Sequence, residues 1–92
     1  MTTTPSERAI TIYTTPWCGE CQVAKRFLAK LEIPYREVDI EADPAAAELV
    51  MHLNDGRRSV PTLVYGGDAA SLSGFSRAKL DAFLRKHDLL PS

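Results

Sequence analysis

Residues 9–21 read Ala9-Ile10-Thr11-Ile12-Tyr13-Thr14-Thr15-Pro16-Trp17-Cys18-Gly19-Glu20-Cys21. The first six are β-branched, aromatic or small and predict a strand. Thr15-Pro16-Trp17 breaks it. From Cys18 or just before, Val23, Ala24, Phe27, Leu28 and Leu31 recur at helical spacing, with Lys25, Arg26 and Lys30 between them. That helix is expected to run to about Leu31, because Pro34 disfavours helical dihedrals at the residue before it. The only two cysteines of the chain thus stand three residues apart where a strand hands over to an amphipathic helix.

Working outward, Tyr35 to Ile40 alternates and predicts a second strand. Asp43-Pro44 marks a helix start, an acid at the N-cap followed by proline at the first helical position. Ala46, Leu49, Val50 and Leu53 supply that helix with an apolar face, and Asn54-Asp55-Gly56 ends it. Thr62 to Tyr65 reads as a third strand, and Gly66-Gly67-Asp68 turns the chain into a fourth around Ala69 to Leu72. In the last helix Ser76 is the expected cap, and Phe75 and Leu80 fit a hydrophobic staple. Leu80, Phe83 and Leu84 face inward, while Arg85, Lys86 and His87 suit the negative end of the dipole. The order is β-α-β-α-β-β-α. A right-handed first crossover makes a parallel pair, and the hairpin adds antiparallel strands. The expectation is an α/β fold, a four-stranded mixed sheet with three helices on its faces, and a thioredoxin-like architecture fits it.

Ninety-two residues, 45% hydrophobic and 25% charged, suit one domain. Residues 1–8 are small, polar and unpatterned and are expected to be a flexible tail before a domain at 9–92. A chain of this size buries roughly two-thirds of its surface, enough to fold without a metal or disulfide staple. No apolar run approaches the ~20 residues of a membrane span. Met1 to Arg8 lacks a basic start and an apolar stretch, so the sequence predicts a cytoplasmic monomer. A net charge of −1 gives no reason to expect nucleic acid. From Arg36 to Asp55, however, six acids face one base, a balance of −5, so the remainder carries +4. That segment is either a solvated acidic edge or a docking surface.

A free thiol has a pKa of about 8.5 and is a poor nucleophile while protonated. At the start of a helix, free backbone N–H groups and the positive end of the dipole stabilise the thiolate of Cys18. Cys21 lies one turn deeper on the same face. Cys18 is therefore the predicted nucleophile, and Cys21 the thiol that expels a partner bound to it. Glu20, between them, opposes thiolate formation to the extent that its carboxylate is not screened. A zinc site would need further ligands. His52 and His87 stand about thirty residues from each other and from the cysteines, without the close pairing of common fingers. No metal is expected, and both histidines are read as surface residues. A buried structural disulfide does not suit a chain without an export signal.

Tyr13-Thr14-Thr15-Pro16-Trp17-Cys18-Gly19-Glu20-Cys21, Arg58-Ser59-Val60-Pro61-Thr62 and Ser73-Gly74-Phe75 together resemble the glutaredoxin family, in the same order and over roughly Ile10 to Leu84. The resemblance implies a thioredoxin-like fold and a cis Pro61 facing the active-site disulfide. It also implies that Val60 offers backbone pairing to a bound thiol or peptide. It implies a dithiol oxidoreductase that reduces protein or low-molecular-weight mixed disulfides, with no tightly bound cofactor. Its cosubstrate would be a low-molecular-weight thiol, mycothiol-like or glutathione. Thr15, Trp17, Arg58, Val60, Pro61, Gly74 and Phe75 are the expected substrate-side residues.

Glutathione-using members usually carry lysine where Thr15 stands, and a Gly-Gly with a nearby aspartate where Ser73-Gly74 and Arg77 stand. The Pro-Trp-Cys-Gly-x-Cys run and the stretch Asn54 to Thr62 resemble mycoredoxins, which reduce mycothiol mixed disulfides. Ser73-Gly74-Phe75 resembles NrdH-redoxins, which carry electrons from thioredoxin reductase to ribonucleotide reductase, although Leu72 replaces their usual tryptophan. Arg57 and Arg58 either contact carboxylates of a small thiol or belong to a solvated loop. Trp17 is either a platform for the partner or a core residue. The resemblance also implies a non-enzymatic alternative, iron–sulfur cluster carriage, since some glutaredoxins hold a cluster between two protomers through the first cysteine and a small thiol.

Overall fold

In the computed structural model, which describes residues 9–72 and 77–89, the elements run β1 (Ile10–Thr14), α1 (Gly19–Lys30), β2 (Tyr35–Asp39), α2 (Pro44–Leu53), β3 (Thr62–Tyr65), β4 (Asp68–Ser71) and α3 (Arg77–Lys86). The strands form one sheet in the order β2-β1-β3-β4. β1 and β2 are parallel, with Ile10 opposite Tyr35 and Thr14 opposite Asp39. β3 is antiparallel to β1, with Tyr13 opposite Thr62, and β4 is antiparallel to β3. Gly66 and Gly67 both have positive φ, as a tight two-residue hairpin requires. The mixed sheet and three helices expected from the sequence are all present.

Alternate residues of β1 serve opposite faces of the sheet. Ile10 and Ile12, with Leu63, pack against Ala24 and Leu28 of α1 and against Leu80, Phe83 and Leu84 of α3. Tyr13 and Ile40 pack against Ala46, Ala47 and Val50 of α2 on the other side. A central strand covered on both faces loses the simple in–out alternation of a half-exposed one. α2 meets its face of the sheet through two alanines and one valine. Leu49 and Leu53, expected inside, are instead 40% and 41% exposed. Their larger side chains lie on the flank of a helix whose small residues permit close approach. Val23 of α1, also expected inside, is 37% exposed for the corresponding reason: Cys21, Ala24 and Leu28 form the buried stripe.

The helix ends are built locally. Asp43 accepts a hydrogen bond from the Ala46 N–H at 3.2 Å and caps α2, with Pro44 at its first position. α1 stops at Lys30, one residue before the expected end. Glu32 adopts positive φ, and Ile33 N–H donates to the Leu28 carbonyl at 2.9 Å. A left-handed residue beyond the last turn, rather than Pro34 alone, ends the helix. His87, expected at the surface, is half-buried between the rings of Tyr65 and Phe83, with Nε2 2.9 Å from Asp68 Oδ2. Lys86 approaches the same oxygen at 2.9 Å. Lys86 and His87 hold the Asp68 carboxyl below its usual range and fasten the end of α3 to the β3–β4 hairpin. The expected tail at 1–8, the Ser76 cap and the Phe75–Leu80 staple lie outside the described residues.

Candidate active site

Thr15 to Cys18 forms a turn closed by the Cys18 N–H to the Thr15 carbonyl at 3.3 Å. This turn leaves Cys18 at the N-cap of α1 in extended conformation. Its sulfur accepts the backbone N–H of Cys21 at 3.0 Å. An N-cap side chain that takes up an orphan amide of the first turn is doing what Ser or Asp does elsewhere. Here the acceptor is sulfur, and the amide is one that would stabilise negative charge on it. The Cys18 and Cys21 sulfurs lie within disulfide-bonding distance, with Cα atoms 5.2 Å apart. Cys18 is partly exposed, whereas Cys21 is fully buried. An incoming sulfur can therefore reach the first cysteine and not the second.

Trp17, next to Cys18, is 71% exposed and so is not a core residue. Gly19, the first residue of α1, lies at an open surface, where an added Cβ would meet nothing within 4 Å. Thr15 is buried, and its hydroxyl has no hydrogen-bond partner among the described residues.

The Val60–Pro61 bond is cis. Tyr13 pairs with Thr62 across β1 and β3, so continuing that antiparallel register sets Pro61 beside Thr14 and Val60 beside Thr15. The start of β3 is thus carried to the strand end that leads into the cysteine turn. Thr62 Oγ1 donates to the Ser59 carbonyl at 2.7 Å and accepts from Asn54 Nδ2 at 3.3 Å. Asn54 Nδ2 also donates to the Val50 carbonyl at 2.7 Å. The segment preceding Pro61 is in this way tied to the end of α2, and the Ser59 and Ser71 hydroxyls, 3.1 Å apart, tie it to β4. Sequence reasoning did not single out Asn54, Ser59 or Thr62 for this role; an amide residue closing a helix eight positions before a strand threonine was the available signal.

Arg58 reaches back to Glu41 at 3.5 Å, and its side chain remains 55% exposed. Arg57 lines a polar depression of about 560 Å³ with Asn54, Asp55, Ser59 and Ser71. Gly74 and Phe75 lie outside the described residues.

A second missed group sits one turn below Cys21. Lys25 Nζ is 2.9 Å from Glu37 Oε2 on β2, and the buried Thr14 hydroxyl donates to the same oxygen at 2.8 Å. The bond from Lys25, with that from Thr14, outweighs desolvation and lowers the Glu37 pKa. The three side chains join β1, β2 and α1. Among the described residues, no group of three His, Cys, Asp or Glu side chains converges as metal ligands would. No helix among them is long and apolar enough to cross a membrane.

A family model described as Glutaredoxin matches residues 10–70. The Mycobacterium tuberculosis protein named "Putative glutaredoxin" is 46% identical over 78 residues, 85% of this chain and 92% of its own. Mycoredoxin 1 of Corynebacterium glutamicum is 41% identical over 56 residues, 61% of this chain and 68% of its own. Among solved structures, the thioredoxin-like protein BC3987 superimposes with a TM-score of 0.69 at 35% identity, covering 82% of this chain and 99% of its own.

Proposed function

The chain belongs to the glutaredoxin family, and on that premise we propose that it is a dithiol thiol–disulfide oxidoreductase of the mycoredoxin type, acting on protein or low-molecular-weight mixed disulfides. The observation that carries the reading is the division of labour between the sulfurs: Cys18 accessible and bonded to a first-turn amide, Cys21 wholly buried one turn on. The Cys18 thiolate attacks a substrate sulfur in line with the disulfide, and the departing thiolate takes up a proton. Cys21, as thiolate, then attacks Cys18 Sγ. The second half of the substrate leaves reduced, and the protein retains a Cys18–Cys21 disulfide. Two molecules of a low-molecular-weight thiol, mycothiol-like or glutathione, restore the dithiol by successive exchange and leave as their own disulfide, without a tightly bound cofactor. The similarity to Mycoredoxin 1 supports a mycothiol-like cosubstrate.

Single-cysteine variants test the assignment. Cys18→Ser should abolish turnover of a mixed disulfide. Cys21→Ser should accumulate a stable adduct at Cys18, read by intact mass, and keep monothiol activity. Equal activity in the two variants overturns the roles. A mycothiol-coupled assay run beside NADPH with thioredoxin reductase identifies the reductant. Turnover with thioredoxin reductase alone would replace the mycoredoxin reading by that of an NrdH-type electron donor.

A further inference from the structure

Beyond its first turn α1 bears a shallow groove that the reaction at sulfur does not use. Val23, Arg26, Phe27 and Lys30 line a depression of about 230 Å³. Arg77 of α3 lies over the Phe27 ring, 5.0 Å from its centroid. Its side chain is 67% exposed, with Asp81 3.9 Å away. The floor of the groove is apolar and its rim is cationic. Arg26 and Lys30 have no ion-pair partner among the described residues. The only acid of the helix, Glu20, stands at the opposite end, beside the cysteines.

The charge is also sorted across the sheet. The segment from Arg36 to Asp55, with its balance of −5, forms β2 and α2, and α2 packs on the face opposite α1. The groove therefore belongs to the cationic side of a bipolar molecule. Trp17, the most exposed large apolar side chain described, stands next to the nucleophile in the chain.

We infer that this groove docks an acidic, apolar segment flanking the disulfide of a protein substrate. The inference rests on the oxidoreductase reading above and names the class of its macromolecular substrate. At about 1.5 Å per residue, Lys30 lies roughly 18 Å along the helix from Cys18. An extended peptide covers that distance in five or six residues at about 3.3 Å each. A substrate whose cysteine is engaged by Cys18 thus lays an apolar side chain over Val23 and Phe27. Carboxylates up to about six positions away meet Arg26, Lys30 and Arg77.

The probes are synthetic peptides of about a dozen residues with a central cysteine blocked by 2-mercaptoethanol and leucine on both flanks. One carries glutamates beyond the leucines and the other lysines. The rate constant for their reduction by pre-reduced protein needs no recycling thiol, and the acidic-to-basic ratio is internal to each protein sample. The wild-type ratio should exceed about three at low salt and fall towards one at about 0.5 M salt, as screened surface charges require. R26E/K30E should reverse the preference. Val23→Asp, at an exposed site outside the core, should slow the acidic peptide at least about threefold. A wild-type ratio near one, or a preference that survives R26E/K30E, overturns the inference. So does a sedimentation coefficient of the protein alone that changes in R26E/K30E, which would assign the groove to a second copy of the chain. Hydroxyethyl disulfide separates the two levels of the reading: failure of the wild-type protein to reduce it sinks the oxidoreductase assignment itself.

Discussion

At the scale of single residues, position relative to a helix end sets the chemistry. Cys18 and Cys21 have the same side chain, yet one caps α1 at the surface and the other lies beneath it. Thr62 does comparable work without reacting, since its one hydroxyl both donates to Ser59 and accepts from Asn54. Thr62→Val keeps the shape and removes both bonds, leaving the Ser59 carbonyl without this donor and the Asn54 amide with only its bond to Val50. The expected loss is about 1–3 kcal/mol, read as a lowered urea midpoint with unchanged slope. Glu37 gives a pH signature. Its folded pKa is lowered, so its contribution is complete above the unfolded value of about 4.3 and disappears as pH falls through the lower folded value. Because its side chain is 39% exposed, solvent screening limits the effect to under about 1 kcal/mol. Glu37→Gln should be less stable than wild type near neutral pH, and the difference should vanish in acid. A difference that persists in acid would place the effect in packing rather than charge.

At the scale of elements, α2 shows how a start signal and a packing face separate. Asp43 and Pro44 specify where the helix begins through hydrogen bonding and fixed φ, both local matters. Asp43→Ala should cost about 0.5–2 kcal/mol. For a domain of this size each kcal/mol lowers Tm by about 4–8 °C, which a thermal melt followed by circular dichroism would register. The buried face of the helix was less legible. Ala46, Leu49, Val50 and Leu53 all satisfy apolar spacing, but the sheet accepts the narrow Ala46–Ala47–Val50 side. α1 repeats the lesson with Val23. Periodicity identifies a stripe, and the width of the stripe that is covered depends on what lies across from it.

At the scale of the molecule, β1 is shared by two cores on opposite faces, and the cysteine turn and the Val60–Pro61 segment hang from its end and from its neighbour β3. Leu28, wholly buried between α1 and the sheet, should lose about 2–5 kcal/mol as Leu28→Ala. Leu49→Ala should stay within about 0.5 kcal/mol, although spacing alone ranks the two leucines alike. Equal losses in chemical denaturation would contradict the exposure of the α2 flank.

The element order, the turn glycines, the helix start at Asp43 and the placement of Cys18 and Cys21 at a strand–helix junction were all legible from residue types and spacing. Each depends on forces that act over a few residues: dihedral preference, capping and the alternation of apolar side chains. The resemblance carried by Val60-Pro61-Thr62 supplied the cis bond, which local preference would not have chosen. The Asn54–Thr62–Ser59 clasp, the Thr14–Glu37–Lys25 cluster, the half-burial of His87 and the exposure of Leu49, Leu53 and Val23 belong to the tertiary structure. They join residues distant along the chain, and whether a side chain is covered or paired is decided by the surface that folding brings against it, which no local pattern encodes.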